Sequence, residues 1–191
     1  GANAFDGQAV EKIFSAKGRP ADNPLIVHIS SIDDMQALAD GITPLVRSVA
    51  ETFWPGPLTI VLPKKDCVPD IVTASLDTVA LRMPKNETAL ELLRQCRFPI
   101  AAPSANISGR PSPTRAEHVY EDFNGKIPMI IDGGKCDVGV ESTVISINGD
   151  TITILRPGDV TPEDLSKFAA VKLHSSILAP AGKFKAESPG M

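Results

Sequence analysis

The chain has 191 residues, 42% of them apolar and 22% charged, and a formal net charge of −4. That length suffices for one domain with a sizeable core, and the charge excludes a protein that grips nucleic acid through its overall field. No apolar run reaches the length of a bilayer span, and the N-terminal GANAFDGQAV lacks a basic-then-apolar leader pattern. The three cysteines, Cys67, Cys96 and Cys136, are odd in number and far apart. They suggest neither a disulfide framework nor a zinc site, and a reducing, cytoplasmic setting is expected.

In chain order, residues 7–16 read as a helix capped by Asp6, with Val10, Ile13 and Phe14 on one face and Gly18 and Pro20 as stops. Leu25 to Ile29 is a short apolar strand. Ser30 or Ser31 caps a helix over about 32–39, and Thr43-Pro44 starts another that ends near Trp54-Pro55. Leu58 to Leu62 and Val79 to Met83 are rich in apolar and β-branched residues and read as strands. Asn86 caps a helix to about Gln95, and Ile100 to Ala102 is a strand. Thr114-Arg115-Ala116-Glu117 reads as a capping box opening a helix over 115–122. Met129 to Asp132 reads as a strand. Ser142 to Ile147 and Thr151 to Leu155 form a hairpin turned at Asn148-Gly149-Asp150, and Thr161 to Asp164 opens a last helix. The alternation predicts an α/β domain around an open, twisted, mixed sheet with flanking helices. The tail from Ser175, rich in Ala, Ser, Pro, Gly and Lys, reads as a linker or mobile arm.

Four stretches carry chemistry. Lys17 and Arg19 sit at a helix end on a backbone stiffened by Gly18 and Pro20, with Asn23 following. They serve either to offset the helix dipole or to bind phosphate, Arg as a fork and Lys as a point charge. His28, inside a strand, reads first as a packed core residue. Arg82 stands in an apolar strand between Leu81 and Met83 and shares a face with Ala80 and Pro84. A cation there needs either a buried acid or an anionic ligand. In PIAAPSANISGRPSPT, residues 99–114, an apolar strand runs into small residues, hydroxyls and an amide. Composition alone gives a proline-stiffened loop, but its place at a strand end is where α/β sites lie. The hairpin brings Ser142 and Arg156 side by side. No P-loop, dinucleotide fingerprint or Ser/His/Asp set is present. The residues by themselves indicate a site for a small phosphorylated anion.

The motifs KGRPADNPLIVHI, FWPGPLTIVLP, VALRMP, PIAAPSANISGRPSPT, GVESTVI and LRPG, in this order, resemble the YrdC/Sua5 family over roughly residues 1–165. The resemblance implies the YrdC/RibB fold and a threonylcarbamoyl-adenylate synthase. Such an enzyme joins L-threonine, bicarbonate and ATP into threonylcarbamoyl-AMP and pyrophosphate. Its product goes to tRNA threonylcarbamoyl transfer proteins that modify adenosine 37. By the same resemblance, Lys17, Arg19 and Asn23 hold the triphosphate. Thr78, Ser104, Ser112 and Arg156 hold the nucleotide, with Asn106 as a neighbour. His28, Arg82, Ala102 and Ser142 form the threonine side. Mg²⁺ is expected to ride on the nucleotide, not in a dedicated metal site. Residues 1–174 are expected to form the catalytic domain, with a first strand and a threonine-contacting Thr missing ahead of Gly1. Residues 175–191 are expected to begin a linker to a further domain. Two other readings stay open here: a weak binder of double-stranded RNA, and a carbamoyl transferase using carbamoyl phosphate.

Overall fold

A computed structural model describes residues 1–136, 141–178 and 188–189. The strands are β1 (Ala2–Asn3), β2 (Ile26–His28), β3 (Leu58–Pro63), β4 (Thr78–Arg82), β5 (Ile100–Ala101), β6 (Thr143–Asn148), β7 (Thr151–Arg156) and β8 (Ala170–Leu173). They form one sheet in the order β1-β5-β2-β4-β3-β6-β7-β8. The sheet is mixed: β2/β4, β3/β6 and β7/β8 run parallel, and the other neighbours antiparallel. The helices are α1 (Gly7–Lys17), α2 (Met35–Leu38), α3 (Pro44–Phe53), α4 (Asp70–Thr73), α5 (Glu87–Cys96), α6 (Ala116–Phe123), α7 (Pro162–Leu165) and α8 (Ser175–Leu178).

Strand alternation divides the apolar residues between the two faces. Val27, Ile60, Leu81, Ile145, Ile152 and Ile154 join the main core, together with Val10 and Phe14 of α1 and Val46, Val49 and Ala50 of α3. The opposite face carries only a small cluster, Val61, Ala80, Val144 and Leu155, with Ile26 packed against it. Residues two positions along on that thin face are His28, Arg82, Thr59 and Ser142. Polar groups thus occupy positions in phase with a modest apolar patch, where a ligand can cover them.

The caps follow their residue chemistry. Asp6 accepts from the Gln8 and Ala9 N–H groups at 3.0 Å, and Gly18 closes α1 in the left-handed region at φ 60°. Ser31 with Asp34, and Thr161 with Asp164, form reciprocal capping boxes. The helix expected over 32–39 is a 3₁₀ turn, Ile32–Asp34, continued by α2.

Two expectations need correction. Thr114 does not cap α6: the N-cap is Arg115, without a side-chain bond, and Thr114 N–H donates to His118 Nδ1 at 3.4 Å. Met129 to Asp132 is not a strand, and Met129 and Ile131 are 68% and 46% exposed. Their apolar pattern finds no neighbouring strand among the described residues, and a strand requires a partner ladder as well as propensity. The reading also passed over β8, and the first four residues of the tail, Ser175–Leu178, form a short helix. β8 pairs with β7, α8 follows it, and Ile177 packs against the main core. Residues 179–187 and 190–191 of that tail lie outside the described residues.

Candidate functional site

Strand direction gathers the chemical residues. β2 and β4 are parallel with His28 opposite Arg82, so both strands end together. β3 runs against β4 and therefore starts there. β6 runs with β3, and the Thr143 N–H donates to the Pro57 carbonyl at 2.9 Å beside that start. β7 returns antiparallel to β6 and brings Arg156 opposite Val144. Gly158, in the turn after β7, lies against this strand entry. A Cβ there would come within 2.4 Å of the Thr143 nitrogen and 2.5 Å of the Glu141 carbonyl oxygen, so only glycine fits.

The result is a cavity of about 340 Å³ lined by Arg19, His28, Arg82, Ala102, Ser104, Ser112, Ser142 and Arg156 among others. That size suits a small ligand. Three guanidinium groups face it, and burial lowers the pKa of Arg19, Arg82 and Arg156 from the ordinary arginine value. Arg82 Nε donates to the Gly56 carbonyl at 3.0 Å. Among the described residues no carboxylate stands within ion-pair distance of Arg82. The buried-pair reading of this residue therefore finds no partner there.

His28 is neutral. Burial, then the charge of Arg82, lowers its pKa to about 4. Its Nδ1 is buried without a hydrogen-bond partner among the described residues. A packed core histidine would have that atom satisfied, so a cavity-lining role fits His28 better.

Arg156 is committed to protein acceptors. Nε donates to the Ser142 carbonyl at 3.2 Å, and Nη2 to the same carbonyl at 2.8 Å and to Ser142 Oγ at 3.1 Å. Nη1 meets Glu141 Oε2 at 2.7 Å and the Pro189 carbonyl at 3.2 Å. An anion could reach this fork only in exchange for Glu141 or Pro189.

Lys17 is not a free cation at the helix end. It is the last residue of α1 and only 5% exposed. Its ammonium donates to the Ser104 carbonyl at 2.5 Å and to the Asn106 carbonyl. Burial, then the Arg19 charge, lowers its pKa to about 8. Lys17 and Asn106 stand behind the cavity wall and brace it. Asn106 Nδ2 donates to the Ile107 and Arg110 carbonyls at 3.0 and 2.7 Å, while its Oδ1 is buried without a partner among the described residues. Arg19 is held by Asn23, with Nη2 donating to Asn23 Oδ1 at 2.6 Å. Asn23 thus orients Arg19 and does not line the cavity.

Thr78 is not brought to this site. It opens β4 opposite Pro63, four residues before Arg82, roughly 13 Å away along an extended strand. Reading the sequence also passed over several cavity residues, Cys136, Glu141 and Pro189 among them. Glu141 is the one acid lining the cavity among the described residues. Its position before Ser142 was legible, but its pairing with Arg156 depends on the hairpin register. No cluster of three or more potential metal ligands exists among the described residues, and none of their helices is long and apolar enough to cross a membrane.

A family model described as "Telomere recombination", covering Sua5, YciO and YrdC, matches residues 1–158. A threonylcarbamoyl-AMP synthase of Pyrococcus abyssi is 52% identical over 192 residues, 100% of this chain and 56% of that protein. Another of Bacillus subtilis is 52% identical over 166 residues, covering 86% of this chain and 48% of that protein. The crystal structure of P. abyssi Sua5 complexed with L-threonine superimposes with a TM-score of 0.94 over 100% of this chain and 56% of the other. The chain thus spans about half the length of these relatives. With its open mixed sheet and six ordered motifs, the chain belongs to the Sua5/YciO/YrdC family.

Proposed function

We propose that this chain carries the L-threonylcarbamoyladenylate synthase site. It would join L-threonine, bicarbonate and ATP into threonylcarbamoyl-AMP, with release of pyrophosphate and water. The observation that carries the reading is Arg82: a half-buried guanidinium facing the cavity, with no carboxylate partner among the described residues. It is complementary to the carboxylate of an amino acid. P. abyssi Sua5, which matches this chain along its whole length, crystallised in complex with L-threonine, and that supports the same ligand here.

In this reading Arg82 clamps the threonine carboxylate, and His28, Ala102 and Ser142 complete that side. Arg19, held by Asn23, and Arg156 meet the phosphates. Ser104 and Ser112 contact the nucleotide. Lys17 and Asn106 hold the Ser104 loop in place and add positive charge close behind it. The threonine amine takes up carbon dioxide or bicarbonate to give a carbamate. A carbamate oxygen then attacks the α-phosphorus in line, and the bond to pyrophosphate breaks. Positioning and cationic stabilisation supply most of the rate. Glu141, already paired with Arg156, does not make a Mg²⁺ site alone, so Mg²⁺ would arrive on the ATP phosphates.

The product would pass in the cytoplasm to proteins that transfer the threonylcarbamoyl group to tRNA. Direct contact with RNA would be weak and steeply salt-dependent. The test is pyrophosphate release with ATP, threonine and bicarbonate, omitting one at a time. Release only with all three supports the reading. Release without threonine overturns it.

A further inference from the structure

Thr59 lies in β3, fully buried, on the thin face of the sheet. Its Oγ1 stands 2.8 Å from Ser142 Oγ. Ser142 is itself 2% exposed, lines the cavity, and accepts from Arg156 Nη2 at 3.1 Å. Thr59 belongs to none of the motif roles described above, and it does not line the cavity.

Either hydroxyl can be the donor in this pair, and the two choices have different consequences. If Ser142 donated to Thr59, the Thr59 proton would be buried with no acceptor among the described residues, an unfavourable arrangement. Ser142 would then have no proton left to offer a ligand. If Thr59 donates, both groups are satisfied. Ser142 Oγ accepts twice, from Thr59 and from Arg156, which fills both lone pairs of a hydroxyl. Its own proton is then the one hydrogen-bonding element left, and the cavity is where it can be used.

We propose that Thr59 is a positioning residue that fixes Ser142 as an obligate donor, so that the ligand group meeting Ser142 must be an acceptor oxygen. In the synthase reading, on which this assignment of the ligand rests, that oxygen belongs to L-threonine, as its carboxylate or the carbamate made from its amine. A ligand ammonium at this point would be rejected, since Ser142 has no acceptor capacity left.

The full chain would be titrated with L-threonine and, separately, with ATP, by calorimetry. Thr59→Val keeps the volume and removes the hydroxyl. It should weaken L-threonine about tenfold and leave ATP affinity within about twofold, consistent with one lost orienting hydrogen bond. Thr59→Ser should restore threonine binding to within about threefold. In Ser142→Ala, adding Thr59→Val should cost no further threonine affinity, because Thr59 acts through Ser142. Unchanged threonine binding in Thr59→Val overturns the role, as does an equal loss for ATP and threonine. A neutron structure of the deuterated protein separates this proposal from the synthase reading, because it needs no ligand. Deuterium borne by Thr59 Oγ1 and pointing at Ser142 upholds the hydroxyl direction, even if threonine proves not to bind. Deuterium borne by Ser142 and pointing at Thr59 overturns it, even if the synthase reading stands. Should Thr59→Val fail to fold, Thr59→Ser and the neutron structure still decide.

Discussion

Arg82 and His28 show how neighbouring strand ends assign chemistry to single residues. Both lie on the thin face, opposite each other across β2 and β4. Lysine at position 82 keeps the charge but loses the planar fork. Arg82→Lys should weaken L-threonine by about 1.5–3 kcal/mol while ATP affinity stays nearly unchanged, as measured by titration of each. Loss of ATP binding or of the fold, with threonine dependence intact, would return Arg82 to a structural role. His28 makes a pH prediction. Its folded pKa of about 4 lies below the ordinary 6.5, so between those values the unfolded chain binds more protons. Stability is therefore full above pH 6.5 and falls as pH drops through 4, by on the order of 3 kcal/mol for this group. Urea unfolding of wild type and His28→Gln at pH 7 and pH 4 isolates this contribution, because the variant should lack it. Equal pH dependence in the two proteins would contradict it. The face shared by Arg82 and Ala80 was legible from period-2 alternation. His28 was not, because alternation says which way a side chain points and not whether core or cavity lies there.

At the level of elements, the wall of the site is a loop tied at both ends. The Ser108 N–H donates to the Lys17 carbonyl at 3.0 Å, and the Lys17 ammonium bonds two carbonyls of the loop. On the other side Asp122 of α6 accepts from the Ile107 N–H at 2.9 Å and pairs with Arg110 at 2.5 Å. These bonds hold a segment too poor in apolar bulk to pack itself. Lys17→Ala leaves two carbonyls without their charged donor and should destabilise the fold by about 3 kcal/mol, measured by urea unfolding. A loss below about 0.5 kcal/mol, with ATP affinity sharply reduced, would mean that Lys17 serves the phosphates alone. The capped helices and the hairpin could be read from local signals, since Asp6, Ser31, Asn86 and Thr161 each meet N–H groups within their own turn. The Lys17 contacts could not, because Ser104 and Asn106 lie 87 and 89 residues away along the chain. β8 and the non-strand at 129–132 were illegible for the same reason: strand identity depends on a distant partner.

For the whole molecule, the mixed topology is what makes a site. Reversals between β4 and β3 and between β6 and β7 bring strand starts and strand ends to one place. One face is spent on a large apolar core, and the other keeps a cationic cavity over a small patch. That arrangement lets a chain of net charge −4 concentrate three arginines around one cavity. The alternation of helices and strands announced an α/β sheet, whereas strand order arises only from pairing. In the proposed reaction this one cavity brings threonine, bicarbonate and ATP together. The most direct test supplies labelled bicarbonate with ATP and L-threonine and follows the nucleotide product by mass spectrometry. The expected product is an adduct holding one labelled carbon, one threonine and one AMP, formed with an equal amount of pyrophosphate. Label entering a nucleotide product without threonine, or an adduct formed only when carbamoyl phosphate replaces bicarbonate, would contradict it.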